Sequence, residues 1–270
     1  MDKSFQIEKN LLIAIKASIG AGNEIMKIYE QDFGFELKSD SSPLTIADKN
    51  ANEVINKYLQ KTNIPIISEE NTQIDYSIRR KWDTCWIVDP LDGTKEFIKK
   101  NGEFTVNIAL IKKGYPILGV VYVPVEKKLY FADVNEEVAF LANLSIDINE
   151  VNDFIKESTP LKRNISKVND KIRIVASRSH LNDETKEFIK NVEFGNKKAK
   201  IVSKGSSLKF CVVAEGKADI YPRFAPTMEW DTAAAHAICK AVGISIINTK
   251  TNNELSYNKE ELINPYFICR

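Results

Sequence analysis

The segment 86–94, Trp-Ile-Val-Asp-Pro-Leu-Asp-Gly-Thr, constrains this chain more than any other stretch. An apolar run ends at Val88, and such a run bounded by Pro and Gly residues predicts the end of a buried strand. Asp89 and Asp92 follow, separated by Pro90 and one leucine. Proline fixes its own φ and has no N–H donor, which favours a tight turn. The sequence therefore predicts that a strand stops here and that two carboxylates share one rigid corner.

A second acidic pair bears on how this corner is interpreted. Asp, Pro and Gly are ordinary turn residues, so the segment alone could be only a turn. However, Glu69 and Glu70 directly follow another apolar run, residues 64–68. Open α/β sheets bind ligands at the carboxyl ends of their strands. Like charges gathered at such an edge repel each other and are costly to desolvate unless a cation neutralises them. The two pairs together predict a metal site.

Length and charge limit the class of protein. A chain of 270 residues that is 43% hydrophobic can form one large domain or two intimately packed domains. We place a boundary in the Lys/Asn-rich stretch 149–171, which divides the chain into domains 1–160 and 161–270. Lys and Arg number 38 against 37 Asp and Glu, and this near-neutral balance argues against a general nucleic-acid or anionic-membrane binder.

The cysteines and histidines indicate the compartment and the kind of metal. Four scattered cysteines without a C-x-x-C pair predict reduced thiols and no disulfide. Charges near the N-terminus and the lack of any span-length apolar window predict a cytoplasmic protein without an integral membrane segment. With only two histidines, a zinc site of ordinary ligands is hard to assemble. Hard oxygen ligands suit Mg²⁺, and the same geometry would admit Mn²⁺.

The remaining patterns predict alternating helices and strands. Apolar residues from Leu12 to Tyr29 recur at helical spacing, so the Gly-Ala-Gly at 20–22 is interpreted as close helix packing rather than a dinucleotide fingerprint. Residues 104–110, 117–123 and 128–131 predict antiparallel strands, and 39–48 a polar loop leading into a helix. Further predicted elements are a strand at 172–176, a helix at 183–190, a strand and loop at 201–207, a helix through 209–214, and an alanine-rich helix ending near Gly243. No P-loop or G-x-S-x-G elbow occurs, which disfavours covalent serine catalysis.

With its continuation to residue 111, the segment that starts at Trp86 resembles the signature of the inositol monophosphatase superfamily, the lithium-sensitive, magnesium-dependent phosphomonoesterases. The stretches 95–98 and 101–104 resemble the bacterial 3′(2′),5′-bisphosphate nucleotidases of that superfamily more than inositol monophosphatase itself. The resemblance extends from Pro43 to Pro265. It implies an α/β (α+β) fold, a layered α-β-α-β-α sandwich with the active site between the two halves.

The resemblance also implies residue roles. Asp48 and Thr94 would position the attacking water, and Glu70 would orient a metal-bound water. Without the resemblance, Asp48 is interpreted as a first-turn helix acid and Asp231 as a helix cap. The implied ligands of two or three Mg²⁺ ions are Glu69, Asp89, the Leu91 carbonyl, Asp92 and Asp231.

The second domain would hold the nucleotide and the last metal ligand. Lys209 and Arg223 would bind a second phosphate, because Arg binds phosphate oxygens bidentately and Lys acts as a point charge. By themselves they would be interpreted as solvated charges, and His180, which the resemblance places beside adenine, as structural. We interpret His236 as helix packing. The implied substrate contacts are Glu69, Leu91, Asp92, Gly93, Thr94, His180, Ser206, Lys209, Arg223 and Asp231.

The resemblance therefore implies a Mg²⁺-dependent, lithium-sensitive phosphomonoesterase that hydrolyses adenosine 3′,5′-bisphosphate, a by-product of sulfate assimilation, to AMP and phosphate. An inositol or sugar phosphate phosphatase and a nucleotide-binding regulator without catalysis are the alternatives. A small-molecule substrate, no nucleic acid partner and a monomer are expected. Peripheral contact with the inner membrane stays open.

Overall fold

The computed structural model describes residues 8–31, 43–144, 158–162, 171–176, 182–194 and 198–270. The helices are α1 (Lys9–Tyr29), α2 (Pro43–Leu59), α3 (Tyr76–Arg79), α4 (Thr94–Ile98), α5 (Asp183–Phe194), α6 (Leu208–Ala214) and α7 (Ala233–Ala241), with a 3₁₀ turn at Gln60–Thr62. The strands are β1 (Ile66–Ser68), β2 (Thr84–Asp92), β3 (Thr105–Lys112), β4 (Tyr115–Val123), β5 (Lys128–Asp133), β6 (Val138–Asn143), β7 (Thr159–Pro160), β8 (Lys171–Ala176), β9 (Lys198–Ser203), β10 (Tyr221–Arg223), β11 (Ile246–Asn248) and β12 (Phe267–Cys269).

The first half of the chain builds a seven-stranded sheet in the order β1 to β7. The β1–β2 pair is parallel, and each later pair in the sheet is antiparallel. The alternating patterns at 104–110, 117–123 and 128–131 form β3, β4 and β5. These three strand predictions are confirmed.

Both faces of this sheet are covered. Apolar residues of α1 and α2 pack on one face, and residues of α6 and α7 pack on the other. The predicted helix from Leu12 to Tyr29 is confirmed as α1, and a Cβ on Gly22 would lie 2.4 Å from a ring carbon of Tyr122. A Cβ on Gly119 of β4 would lie 2.3 Å from the Ala234 carbonyl oxygen of α7. Small residues on both sides therefore allow α7 to approach the sheet closely.

The second half supplies the remaining layers. Strands β8 and β9 pair in parallel, and β10, β12 and β11 form an antiparallel sheet. A bridge between Ile174 of β8 and Ile220 joins the two small sheets, and α5 contacts β9 and β10. The order of layers is thus α1/α2, the large sheet, α6/α7, the small sheets and α5. The predicted layered fold is confirmed, with α5 reaching Phe194 and β9 starting at Lys198.

Two local predictions near the site are wrong. Strand β2 does not stop at Val88 but continues to Asp92, with a bulge: Asp89 pairs with Asn107 and Asp92 with Thr105, which leaves one extra residue on β2. A bulge is where a sheet tolerates a proline, since it does not require every N–H donor.

The second correction concerns residues 43–48, predicted as part of a polar loop over 39–48 that leads into a helix; residues 39–42 lie outside the described ranges. Helix α2 already begins at Pro43, so Asp48 lies inside the helix. Proline suits the first helical position because its fixed φ fits the helix and its missing N–H would have no partner there.

The domain boundary after residue 160 stays a prediction, because 145–157 and 163–170 lie outside the described part of the chain.

The cysteines and the helices bear on the predicted compartment. All four cysteines are buried thiols, and the Sγ atoms of Cys239 and Cys269 lie 3.7 Å apart. None of the helices in the described ranges has the length and apolar character to cross a bilayer. The monomeric state and the cytoplasmic location stay predictions.

Candidate metal and phosphate site

Carboxylates from distant parts of the chain converge at the end of β2. Oxygen atoms of Asp89, Asp92 and Asp231 all lie within 4.8 Å of one another. Glu69 follows β1, and its N–H donates to the Val88 carbonyl of β2 at 3.2 Å, which brings it to the same edge of the sheet. The structure therefore brings together the acids that were predicted to hold a metal.

The bulge in β2 presents the first two of these acids. The Leu91 N–H donates to Asp89 Oδ1 at 3.0 Å, which closes the local turn around Pro90. Asp89 is buried, whereas Asp92 is half-buried and faces the second half of the chain. The one extra residue in the strand thus lets both carboxylates point toward one place.

Hydroxyl and amide groups hold Asp92 Oδ2. It accepts hydrogen bonds from Ser206 Oγ at 2.6 Å, from the Ser207 N–H at 2.8 Å and from Asn107 Nδ2 at 3.3 Å. Ser206 has a left-handed φ of +49°, a backbone conformation that costs about 1 kcal/mol or more for a residue with a side chain. Ser206 was predicted from the sequence as a substrate contact, and the structure shows it on Asp92. Sequence reasoning missed Ser207 and Asn107, although both lie in segments it had singled out.

The turn that carries Glu69 and Glu70 is fastened to α2. Ser68 Oγ donates to Asn52 Oδ1 at 2.8 Å, and Asn52 Nδ2 donates to Asn71 Oδ1 at 2.9 Å. Because Asn52 lies one turn after Asp48 on α2, this network sets Asp48 beside the acidic turn. The network was not predicted. Asn56 Nδ2 also donates to Asn71 Oδ1, at 3.0 Å, and the signal in the sequence is the pair Asn52 and Asn56, four residues apart on a helix.

The electrostatics of the cluster are those of crowded, poorly solvated acids. Burial raises the pKa of Asp48 to about 8, with Glu70 and Glu69 adding to the effect. Burial also raises the pKa of Asp231 to about 7, with Asp92 as the main charged neighbour. Burial, followed by Asp92, raises the pKa of Asp89 well above its ordinary value.

This donor set fits a divalent cation. Within the described ranges, no Lys or Arg forms a salt bridge with these acids. Several carboxylates without a paired cation are costly to keep ionised, and hard oxygen donors are what Mg²⁺ and Mn²⁺ prefer. The structure thus supports a site for a metal ion at this cluster.

Thr94 lies two residues after Asp92 in the chain, and Lys209 lies near the same acid. Thr94 is the exposed first residue of α4, directly after Gly93, whose φ is +98°. Lys209 Nζ donates to the Ser206 carbonyl at 2.8 Å, and burial lowers the Lys209 pKa while Asp92 raises it.

Arg223 has an N–H donor that is not used by the described residues. Its Nη2 donates to the Pro226 carbonyl at 3.2 Å, while its buried Nε has no hydrogen-bond partner among the described residues. Its positive charge acts to lower the pKa of Asp231 and that of Lys209, so all three groups lie near one another.

Of the two histidines, His236 belongs to the described part of the chain. His180 lies outside the described residues. His236 is fully buried in α7, with Nδ1 2.8 Å from the Tyr257 hydroxyl and Nε2 3.0 Å from Glu254. These contacts agree with the interpretation of His236 as a packing residue.

Comparison with known proteins agrees with this geometry. The family described as "Inositol monophosphatase family" matches residues 6–266. The chain is 43% identical to the 3′(2′),5′-bisphosphate nucleotidase CysQ of Salmonella typhimurium, over 92% of this chain and 94% of that protein. The corresponding identity to CysQ of Haemophilus influenzae is 31%, over 96% and 90%.

Solved structures show the same similarity. CysQ from Bacteroides thetaiotaomicron, a bacterial member of the inositol monophosphatase family, has a TM-score of 0.88 and 46% identity, covering 100% of this chain and 98% of that one. An inositol monophosphatase from Zymomonas mobilis has a TM-score of 0.74 at 17% identity, covering 96% and 91%, and shows the shared fold alone.

Proposed function

This chain belongs to the inositol monophosphatase family, and we propose that it is a Mg²⁺-dependent 3′(2′),5′-bisphosphate nucleotidase. The reaction would be hydrolysis of adenosine 3′,5′-bisphosphate to AMP and phosphate, which removes a by-product of sulfur assimilation. The observation that carries the proposal is the placement of two cations, Lys209 and Arg223, within electrostatic reach of a carboxylate cluster. Metal ions held by the cluster would bind the phosphate that is cleaved, and the positive side chains would bind a second phosphate.

The metal ligands in this proposal are those predicted from the sequence: Glu69, Asp89, the Leu91 carbonyl, Asp92 and Asp231. Two or three Mg²⁺ ions held there, with Mn²⁺ as a substitute, would supply a nucleophilic water at neutral pH and shield charge on the leaving oxygen. The hydroxyl and amide donors on Asp92 keep this carboxylate oriented before any ion binds.

The remaining residues would position the reactants. Asp48 and Thr94 would hold the attacking water, Asp48 from α2 and Thr94 from the start of α4. Glu70 would orient a second water, and the backbone N–H groups of Gly93 and Thr94 would contact the departing phosphate. Phosphoryl transfer asks a protein mainly for position and charge, which is what these groups provide.

The second phosphate would be bound by Arg223 and Lys209. Support comes from the buried Nε of Arg223, which has no partner among the described residues and would gain one from a phosphate oxygen. Lys209 is held at Ser206 and adds a point charge on the same side. By the resemblance, His180 would contact the adenine.

Neither alternative gains support. Relatives that are 42–43% identical carry the nucleotidase name, whereas the inositol monophosphatase from Zymomonas mobilis is 17% identical. A regulator without catalysis would tolerate loss of the metal-binding acids, yet each predicted carboxylate is present in this chain.

The test is phosphate release from adenosine 3′,5′-bisphosphate and from inositol 1-phosphate, with Mg²⁺ and with EDTA. We expect a higher kcat/KM for the bisphosphate and no release in EDTA. Asp92→Asn should lower the rate on the order of 100-fold, since it removes a proposed ligand. Asp83→Asn, an exposed acid just before β2, is the matched control and should behave as wild type. A preference for inositol 1-phosphate would refute the substrate assignment.

A further inference from the structure

Two buried charged residues outside the carboxylate cluster, Arg79 and Glu229, connect the two halves of the site. Both contact the same C-terminal segment, residues 258–264, which we call the clasp. We propose that Arg79 and Glu229 act through the clasp as positioning residues that set Asp231 against Asp89 and so determine how tightly a divalent cation binds. The inference rests on the proposed function only in taking Asp231 as a metal ligand.

Arg79 fastens the clasp to the first half of the chain. It ends α3, shortly before β2, and is 4% exposed. Its Nε donates to the Ile74 carbonyl at 2.8 Å, Nη1 to Asn258 Oδ1 at 2.7 Å and to the Lys259 carbonyl at 3.1 Å, and Nη2 to the Glu260 carbonyl at 3.2 Å. Asn258 Nδ2 returns a bond to the Arg79 carbonyl at 2.9 Å. The planar guanidinium, with five donors in a fixed fork, suits acceptors in this arrangement.

Glu229 fastens the clasp to the segment that carries Asp231. Glu229 is fully buried and lies two residues before Asp231. Its carboxylate accepts the N–H of Asn258 at 2.6 Å, the N–H of Lys259 at 3.1 Å and a contact from Lys259 Nζ. Its own N–H donates to the Leu262 carbonyl at 2.8 Å. Both oxygens of the carboxylate thus accept hydrogen bonds, which hold it in one orientation.

The clasp also fixes the backbone around Asp231. Asn264 donates from its N–H to the Thr227 carbonyl at 2.8 Å and from Nδ2 to the Met228 carbonyl at 2.7 Å and to Thr232 Oγ1 at 3.0 Å. The Met228 N–H in turn donates to Asp231 Oδ2 at 2.8 Å. The orientation of the Asp231 carboxylate therefore depends on residues that the clasp holds on both sides.

Arg79 and Glu229 also lie beside the same part of β2. Burial raises the pKa of the Cys85 thiol to about 12, and its charged neighbours are Glu229, which raises it further, and Arg79, which lowers it. Both charges therefore lie beside β2, four residues before Asp89. Groups that orient metal ligands from outside typically change metal affinity 10–100-fold when removed. Arg79 and Glu229 have the contacts expected of such groups.

The experiment measures Mn²⁺ binding to metal-free protein by electron paramagnetic resonance. Arg79→Lys and Glu229→Gln should each raise the Mn²⁺ dissociation constant roughly 10–100-fold, while circular dichroism remains that of the wild type. Arg80→Lys, at the adjacent exposed arginine, is the matched control and should bind Mn²⁺ within about twofold of wild type. Dissociation constants of Arg79→Lys and Glu229→Gln within that same range would overturn the proposal.

A double-mutant cycle separates positioning from general damage. If Arg79 acts through Asp231, then Arg79→Lys should change Mn²⁺ affinity little in an Asp231→Asn background, because the group that it positions is already gone. Additive losses would overturn the proposal. Should Arg79→Lys fail to fold, Glu229→Gln takes its place in the same cycle. Mn²⁺ binding does not require the bisphosphate to be a substrate, so failure of the proposed function gives a different result.

Discussion

Asp48 gives the sharpest prediction, because burial and its acidic neighbours raise its pKa from 3.8 to about 8. The folded protein therefore holds a proton on Asp48 that the unfolded chain releases above pH 3.8. Stability from such a group is complete below pH 3.8 and is lost as the pH rises toward 8. Ionising Asp48 in the folded, metal-free protein costs up to about 5 kcal/mol at pH 8, and about 3 to 4 kcal/mol of this arises between pH 5 and 8.

The perturbation is Asp48→Asn, which keeps the size of the side chain and removes the ionisation. At roughly 2–4 °C per kcal/mol, a cost of about 5 kcal/mol predicts that the metal-free variant melts roughly 10–20 °C above wild type at pH 8 and differs less at pH 5. Glu53→Gln, an exposed acid on the same helix, is the matched control and should change the free energy of unfolding by less than about 0.5 kcal/mol.

The assay is thermal unfolding in EDTA at pH 5 and pH 8, repeated with Mg²⁺. Mg²⁺ should stabilise the wild type at pH 8 and flatten its pH dependence, because a bound cation offsets the repulsion among the acids. Asp48→Asn should lose activity while gaining metal-free stability. The reasoning fails if metal-free Asp48→Asn loses stability between pH 5 and 8 as steeply as the wild type.

Three further variants test the packing, the second phosphate and the support of Asp92. Gly119→Ala should destabilise the protein by about 2 kcal/mol or more in urea unfolding, because its Cβ meets the Ala234 carbonyl at 2.3 Å; an unchanged midpoint would contradict the close packing. Lys209→Ala should raise KM for the bisphosphate more than for a monophosphate in steady-state assays, and an equal effect would remove the second-phosphate assignment. Ser207→Ala should weaken Mn²⁺ binding roughly 10-fold in titrations by removing a donor to Asp92; unchanged affinity would show that Asp92 needs no such support.

Much of the fold could be predicted because its signals are local. Period-two patterns identified β3, β4 and β5, and the apolar runs before Glu69 and Asp89 identified two adjacent strands, although the second strand continues past its predicted end. The apolar runs could not predict the backbone conformation at Pro90. A proline between two acids is equally compatible with a turn and with a bulge, and the pairing of Asp92 with Thr105 on a neighbouring strand selects the bulge.

The candidate site was less predictable because its contacts are distant in sequence. Asp231 alone has the pattern of a helix cap, and only the resemblance placed it with Asp89. The amide network of Asn52 and Asn71 and the clasp on Glu229 have no periodic pattern, since each consists of hydrogen bonds between residues far apart in the chain. Patterns of period two or 3.6 report which face of an element is buried, but not which buried polar groups meet.

The clasp and the acidic cluster have opposite effects on the two halves of the chain: the acids repel each other, and the clasp holds the halves together. Asp89 and Asp92 belong to the first half of the chain and Asp231 to the second, so their mutual repulsion acts to separate the halves when the acids are ionised and no cation is bound. A site that keeps like charges together needs opposing contacts elsewhere, and those contacts must themselves be satisfied when buried. Arg79 and Glu229 meet both conditions, because each charge is surrounded by hydrogen-bond partners on the clasp. On this proposal the metal-free protein would retain a site near its binding geometry, and a cation would bind without first drawing the halves together.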